Sequence, residues 1–218
     1  MAAPSENELL EIARRRMVES HLRLRGISAP RVLDAMVRVP RHEFAPASYR
    51  AQAYEDHPLP IGEGQTISQP YIVALMLAAL ELKATDRVLE VGTGSGYATA
   101  LLCELTARVF SVERHATLAD DARELLTRLG YSNVEVIVGD GSQGYPVEAP
   151  YDAILVSAAA AELPRALLAQ LSEGGRMMIP IGPSDSQQLQ LIRMRNGEPQ
   201  ISLHEFCRFV PLVSGFAS

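Results

Sequence analysis

The stretch Arg87-Val-Leu-Glu-Val-Gly-Thr-Gly-Ser-Gly-Tyr97 decides the fold. Arg87–Val91 is a short apolar run, the pattern of a strand covered on both faces. Gly92, Gly94 and Gly96 follow, and Tyr97–Leu105 then reads as a helix. Glycine lets the backbone turn sharply and approach a ligand closely, and a helix N-terminus presents free N–H groups. Strand, glycine loop and helix in that order predict a nucleotide-like cofactor at the loop.

Outward from this unit, strands and helices alternate. Val109–Val112, Val134–Val138, Tyr151–Val156 and Arg176–Pro180 read as further strands, and Leu118–Leu129 and Pro164–Leu171 as helices. Gly130 and Gly174-Gly175 fall where helices are expected to end. Leu189–Arg195 and Gln200–Phe206 flank Asn196-Gly197, a hairpin signal with a connection longer than two residues. The expected architecture is α/β, a mostly parallel sheet finished by antiparallel C-terminal strands. Upstream, Glu6–Arg25 reads as an amphipathic helix stopped by Gly26, with Leu9, Leu10, Ala13, Met17 and Leu24 at helical spacing. Arg14-Arg15-Arg16 is expected on its solvated side. Ser28–Val37 reads as a second helix with Pro30 in its first turn, and Ile72–Leu82 as a third. The expected organisation is one domain: an N-terminal helical extension (1–60), a cofactor-binding core (61–182) and C-terminal antiparallel strands (183–218).

Two acids extend the cofactor crevice. Glu113 ends the strand after the glycine loop, where a carboxylate can accept hydrogen bonds from both hydroxyls of a ribose. Asp140-Gly141 ends the next strand. Singly, each also reads as a solvated strand end or a simple turn. Together, at the carboxyl ends of successive strands, they favour a crevice.

The 218 residues carry a net charge of -6, which argues against a surface built to neutralise phosphates. Cys103 and Cys207 are far apart and form no CxxC, and the five histidines are scattered, so no metal site is expected. Met1–Glu8 has neither a basic nor an apolar segment of a signal peptide, and the longest apolar run, Tyr71–Leu80, is too short for a bilayer. The expectation is a cytoplasmic protein, a monomer, without nucleic-acid or membrane partners.

The glycine spacing G-x-G-x-G, with Glu90 two residues before it, resembles motif I of S-adenosylmethionine-dependent methyltransferases. A wider resemblance runs through Val39-Pro-Arg-His-Glu-Phe44, Pro58-Leu-Pro-Ile-Gly-Glu-Gly-Gln-Thr-Ile-Ser-Gln-Pro-Tyr71, Ala149-Pro-Tyr-Asp-Ala-Ile154, Gly174-Gly-Arg176, Ile179-Pro-Ile-Gly182 and Arg208-Phe-Val-Pro-Leu212. It is to the protein-L-isoaspartate O-methyltransferases. The resemblance implies a Rossmann-like class I methyltransferase fold with a seven-stranded sheet. It implies S-adenosyl-L-methionine as cofactor, S-adenosyl-L-homocysteine as product, and isoaspartyl-containing proteins and peptides as substrates. It implies that Ser68 is the active-site serine, orienting the substrate carboxylate rather than attacking it. It further implies cofactor contacts from Ile67, Gln69, Glu90, Gly92, Thr93, Gly94, Gly96, Glu113, Asp140 and Gly141, and substrate contacts from Thr66, Ser68, Phe209, Val210 and Val213. On local pattern alone, Ser68 or Gln69 before Pro70 is a helix cap. Tyr145-Pro146, where many relatives carry Trp-Pro, and Ser157-Ala-Ala-Ala-Ala161 depart from the family pattern. Alternative readings are a carboxyl methyltransferase for a dedicated peptide, a nicotinamide-dependent dehydrogenase, and a non-catalytic cofactor-binding module.

Overall fold

The structure, a computed structural model, describes residues 4–215; Met1–Ala3 of the N-terminal stretch read above lie outside them. A seven-stranded sheet runs β5-β4-β3-β6-β7-β8-β9. Its strands are β3 (Arg87–Val91), β4 (Arg108–Glu113), β5 (Val134–Val138), β6 (Tyr151–Val156), β7 (Leu171–Ile181), β8 (Gln187–Arg195) and β9 (Glu198–Cys207). β5 through β7 are parallel; β8 and β9 are antiparallel. A separate hairpin joins β1 (Leu59–Gly62) to β2 (Gln65–Ile67). The helices are α1 (Glu6–Met17), α2 (Pro30–Arg38), α3 (Pro70–Ala79), α4 (Tyr97–Leu105), α5 (Ala116–Arg128) and α6 (Arg165–Leu168).

Both sheet faces are covered, which is why the central strands read as unbroken apolar runs. Alternation sends Val88, Ala153 and Leu155 toward α2, α3 and α4 in one core, and Leu89, Val91, Ile154 and Val156 into a second core with Leu167 of α6. No helix among the described residues is long and apolar enough to cross a membrane.

Several expectations are corrected. The first helix is not uniform: after α1, Val18–Leu22 widens into a π-helical turn before a 3-10 turn ends at Gly26, left-handed at φ 94°. Leu9 and Leu24 are exposed rather than packed, and Arg14 of the arginine run is half-buried, one nitrogen reaching the Arg38 carbonyl. The helix expected at Pro164–Leu171 is the short α6. Gly174-Gly175 ends no helix. Both lie inside β7, in a bulge between the pairs Tyr151–Leu171 and Ala153–Arg176, where Gly174 takes φ 74°. The Asn196-Gly197 turn is tighter than expected: Arg195 pairs with Glu198, leaving a two-residue loop at φ 54° and 77°.

Two of the charged residues buried in the sheet explain local order. Arg176 donates to the carbonyls of Leu80, Glu81 and Asp152 and to Asp86 Oδ2 at 2.6 Å, tying the end of α3 to β6 and β7. Glu90 is fully buried, opposite Ser111 in register on β4. Its Oε2 accepts from the Ser111 and Thr99 hydroxyls, both at 2.6 Å, and Ser111 also meets Thr93 Oγ1 at 2.6 Å. Its Oε1 has no partner among the described residues. Burial pushes the carboxyl up to about 7, against those hydroxyl bonds.

Arg176→Met leaves Asp86 buried without its cation, and the expected cost is about 3–5 kcal/mol in urea unfolding, partly recovered by adding Asp86→Asn. For Glu90, the folded state holds its proton more tightly than the unfolded chain. Its stabilising contribution is full below the ordinary value of 4.5 and is lost as pH rises through about 7. Relative to Glu90→Gln, the wild-type protein is therefore expected to lose on the order of 3 kcal/mol between about pH 4.5 and pH 8. Parallel stability curves for the two proteins would refute this.

Candidate cofactor and substrate site

The strand order reverses at β3: β4 and β5 lie on one side, β6 on the other. A crevice opens there at the carboxyl ends of the strands. Gly92 N donates to Val112 O and Ser157 N to Val91 O, both at 2.8 Å, which fixes where each strand stops. Gly92, Gly94 and Gly96 all take positive φ, 93°, 52° and 87°, so the loop's path suits glycine at each of them. A Cβ on Gly92 would stand 3.5 Å from Ser157 Cβ, and one on Gly94 would stand 3.3 Å from Ile61 Cδ1 of β1. The β1–β2 hairpin therefore roofs the glycine loop. Sequence pattern gave no hairpin in that stretch, because its turn needs Glu63, a non-glycine residue, at φ 51° before Gly64 at φ 67°.

Glu113 joins two of the loops. Its Oε2 accepts from Gly94 N at 2.9 Å and its Oε1 from His115 N at 3.0 Å. These charge-assisted bonds hold the β3 loop against the turn that opens α5.

Two cavities occupy the crevice. The inner one, about 140 Å³, is lined by Ile67, Gly92, Thr93, Gly94, Glu113, Gly141 and Val213 among others. The outer one, about 550 Å³, is lined by Pro58, Gln69, Ser184, Phe206 and Arg208 among others. Thr66, Ser68, Ser157, Phe209 and Val210 line both. Ser68 thus stands where the two spaces meet.

Ser68 does not cap the following helix. The cap position of α3 is Gln69, whose side chain makes no capping bond. Asp56 does that work: Oδ1 accepts from Tyr71 N at 3.1 Å, and Oδ2 accepts from Gln69 Nε2 and Arg25. The sequence gave no local signal for Asp56, which lies 15 positions before the amide it receives.

The chain returns over the crevice after β9. Gln187, at the start of β8, accepts from Phe209 N at 2.6 Å and donates to Phe209 O at 3.1 Å. Ala159 N donates to Val210 O and Leu212 N to Ala159 O, stitching the segment to the end of β6. Gly215 N then donates to Asp140 Oδ2 at 2.7 Å. Against the upward pull of partial burial, bonds from Ser142 and Gly215 hold the Asp140 carboxyl below the usual carboxylate range. Gln187 was missed from the sequence, since a glutamine opening a strand carries no signal of a backbone clamp.

Of the residues expected at the site, Ile67, Gly92, Thr93, Gly94, Glu113 and Gly141 converge on the inner cavity, with Thr66, Ser68, Phe209, Val210 and Val213. Gln69 lines only the outer one. Glu90 lies beneath the loop and reaches it through Ser111 and Thr93. Gly96 faces Ala122 and Leu126 of α5, and Asp140 is engaged with the returning segment. His115, Ser157 and Ala158 also line the inner cavity and had not been expected.

With this geometry in place, comparison with known proteins is direct. The family described as protein-L-isoaspartate(D-aspartate) O-methyltransferase matches residues 13–217. The chain is similar to the protein-L-isoaspartate O-methyltransferase of Methanoculleus marisnigri, 56% identical over 93% of this chain and 92% of that one. It is similar to that of Koribacter versatilis, 53% identical over 98% and 96%. Among solved structures it resembles one from Plasmodium falciparum, described as a protein-L-isoaspartate O-methyltransferase in complex with S-adenosyl-L-homocysteine. The TM-score is 0.81 at 30% identity, covering 93% of this chain and 99% of that one. The chain belongs to the protein-L-isoaspartate(D-aspartate) O-methyltransferase family.

Proposed function

We propose that this protein transfers a methyl group from S-adenosyl-L-methionine to the free α-carboxylate of L-isoaspartyl residues in damaged proteins and peptides. The observation that carries this reading is Ser68, standing at the junction of two cavities with its hydroxyl free of bonds to the described residues.

The inner cavity suits a nucleoside cofactor. A Cβ on Gly94 would press on Ile61 Cδ1 at 3.3 Å, one on the floor at Gly141 would clash with Val91 at 2.6 Å, and Glu113 offers a carboxylate for hydroxyl groups. When bound, S-adenosyl-L-methionine supplies an electrophilic methyl group on a sulfonium. Thr93, Gly94, Glu113 and Gly141 would hold it, with Ile67 and Val213 as apolar walls.

The remaining chemistry asks little of the protein beyond placement. Carboxylates of this class have a pKa near 4 and are ionised at pH 7, so no general base is required. Ser68 Oγ donates to one carboxylate oxygen and leaves the other aimed toward the inner cavity. Charge is lost as carboxylate and sulfonium combine, so water, which stabilises the separated ions, slows the step. Phe209, Val210 and Val213, held down by Gln187 and Ala159, exclude it. The same reading takes the chain as one domain and a cytoplasmic monomer, acting on polypeptide rather than on nucleic acid or membrane. The net charge of -6 supports the exclusion of nucleic acid.

Methyl transfer to paired synthetic peptides tests the reading. Base-labile label is expected on the isoaspartyl peptide and absent from its aspartyl twin; label on neither, with cofactor bound, would overturn it. Ser68→Ala is expected to lower turnover about a hundredfold while cofactor affinity changes less than about threefold. Equal loss of both would assign Ser68 to loop geometry instead.

A further inference from the structure

The outer cavity is lined by a single charged side chain. Around Ser68, Gln69, Ser184, Phe206 and Cys207, only Arg208 carries charge, since burial raises the Cys207 thiol to about 11. Arg208 is exposed and forms no salt bridge with the described residues. Several other arginines are matched to acids, Arg15 to Glu11, Arg23 to Glu19, Arg87 to Glu148 and Arg108 to Glu135, whereas Arg16, Arg165 and Arg195 are exposed with no salt bridge to the described residues. What sets Arg208 apart is its place, as the one charged side chain lining the outer cavity in a chain of net charge -6.

The backbone at this position is fixed even though the side chain is not. Arg208 follows the end of β9 and precedes Phe209, which Gln187 clamps at both N–H and C=O. Arg208 lines the outer cavity only, whereas Ser68 lines both. A guanidinium placed on the reacting carboxylate would draw off its negative charge and weaken it as a nucleophile. A cation one step outside the junction suits a second anion, carried by a residue beside the isoaspartate.

We propose that Arg208 is a specificity determinant that favours isoaspartyl peptides bearing a side-chain carboxylate next to the damaged residue over peptides bearing an ammonium there. The proposal rests on the function assigned above. Phe206, 71% exposed on the same rim, offers a neighbouring apolar contact that is indifferent to charge. A solvent-exposed ion pair of this kind works mainly on capture, so it acts on kcat/KM and weakens with salt.

Three isoaspartyl peptides identical except for Glu, Gln or Lys beside the isoaspartate, assayed with wild type, Arg208→Gln and Arg208→Glu, provide the test. Reading the ratios among peptides within each protein removes any general loss of activity. Wild type is expected to prefer Glu over Lys by about three- to fivefold in kcat/KM. Arg208→Gln is expected to flatten that order and Arg208→Glu to reverse it. Salt at about 0.5 M is expected to flatten the wild-type order as well. An unchanged order in both variants, with the Gln peptide still methylated, overturns the role of Arg208 and leaves the proposed function standing. No methylation of any isoaspartyl peptide by wild type overturns the function itself, and with it this proposal.

Discussion

The crevice is organised around one carboxylate. Glu113 accepts Gly94 N and His115 N on its two oxygens, and these amides belong to different loops. Without it, the glycine loop after β3 and the turn into α5 would each face the cavity with an unpaired N–H. A carboxylate can take both donors and still have lone pairs for a ligand. Gly139 N donates to the Glu113 carbonyl, so the loop after β5 is tied to the same residue. Three strand ends are thus set in register before any ligand arrives, the condition for electrostatic preorganisation.

The second constraint comes from sequence-distant chain. The inner cavity's walls include Gln65–Ser68 from the β2 end and Phe209–Val213 from beyond β9. Neither segment belongs to the alternating core, and each is held by a polar side chain: Asp56 at the start of α3, Gln187 at Phe209. This separates the labour. The ends of β3, β4 and β5 and their loops line the inner cavity alone, while the end of the hairpin and the returning segment line both. Ser68 belongs to both because it sits where these two constructions touch.

The core was legible because its physics is local. β3, α4, β5 and β6 have the bounds that apolar runs and glycine positions predict, and in β3 and β6 burial on both faces accounts for the unbroken apolar run. What escaped depends on contacts that no window of sequence contains. The bulge at Gly174 follows from β7 pairing with β6 in two registers, and a pair of glycines reads equally well as a helix stop. Asp56 caps a helix from 15 positions away. Glu90 looked like a ligand contact from its place before the glycines. Its alternation with Val88 and its register with Ser111 instead put it under the loop, among hydroxyls. The family resemblance located Ser68, but only the meeting of two cavities gives that hydroxyl a spatial reason.

An acidic protein that receives an anionic substrate faces a problem of charge, and the site's composition answers it. At physiological ionic strength, charges more than about 8 Å apart are largely screened, so the net charge of -6 matters less than what lines the path inward. Along the outer cavity that lining is hydroxyl, amide, apolar and one guanidinium. Three acids around the crevice are occupied: Asp56 by Arg25 and Gln69, Asp140 by Ser142 and Gly215, Glu113 by two amides. Bound donors draw the negative charge of these three back into the protein, which lowers the repulsion that a carboxylate meets on its way to Ser68. The backbone amides that order the loops therefore also neutralise the acids that would otherwise repel the nucleophile.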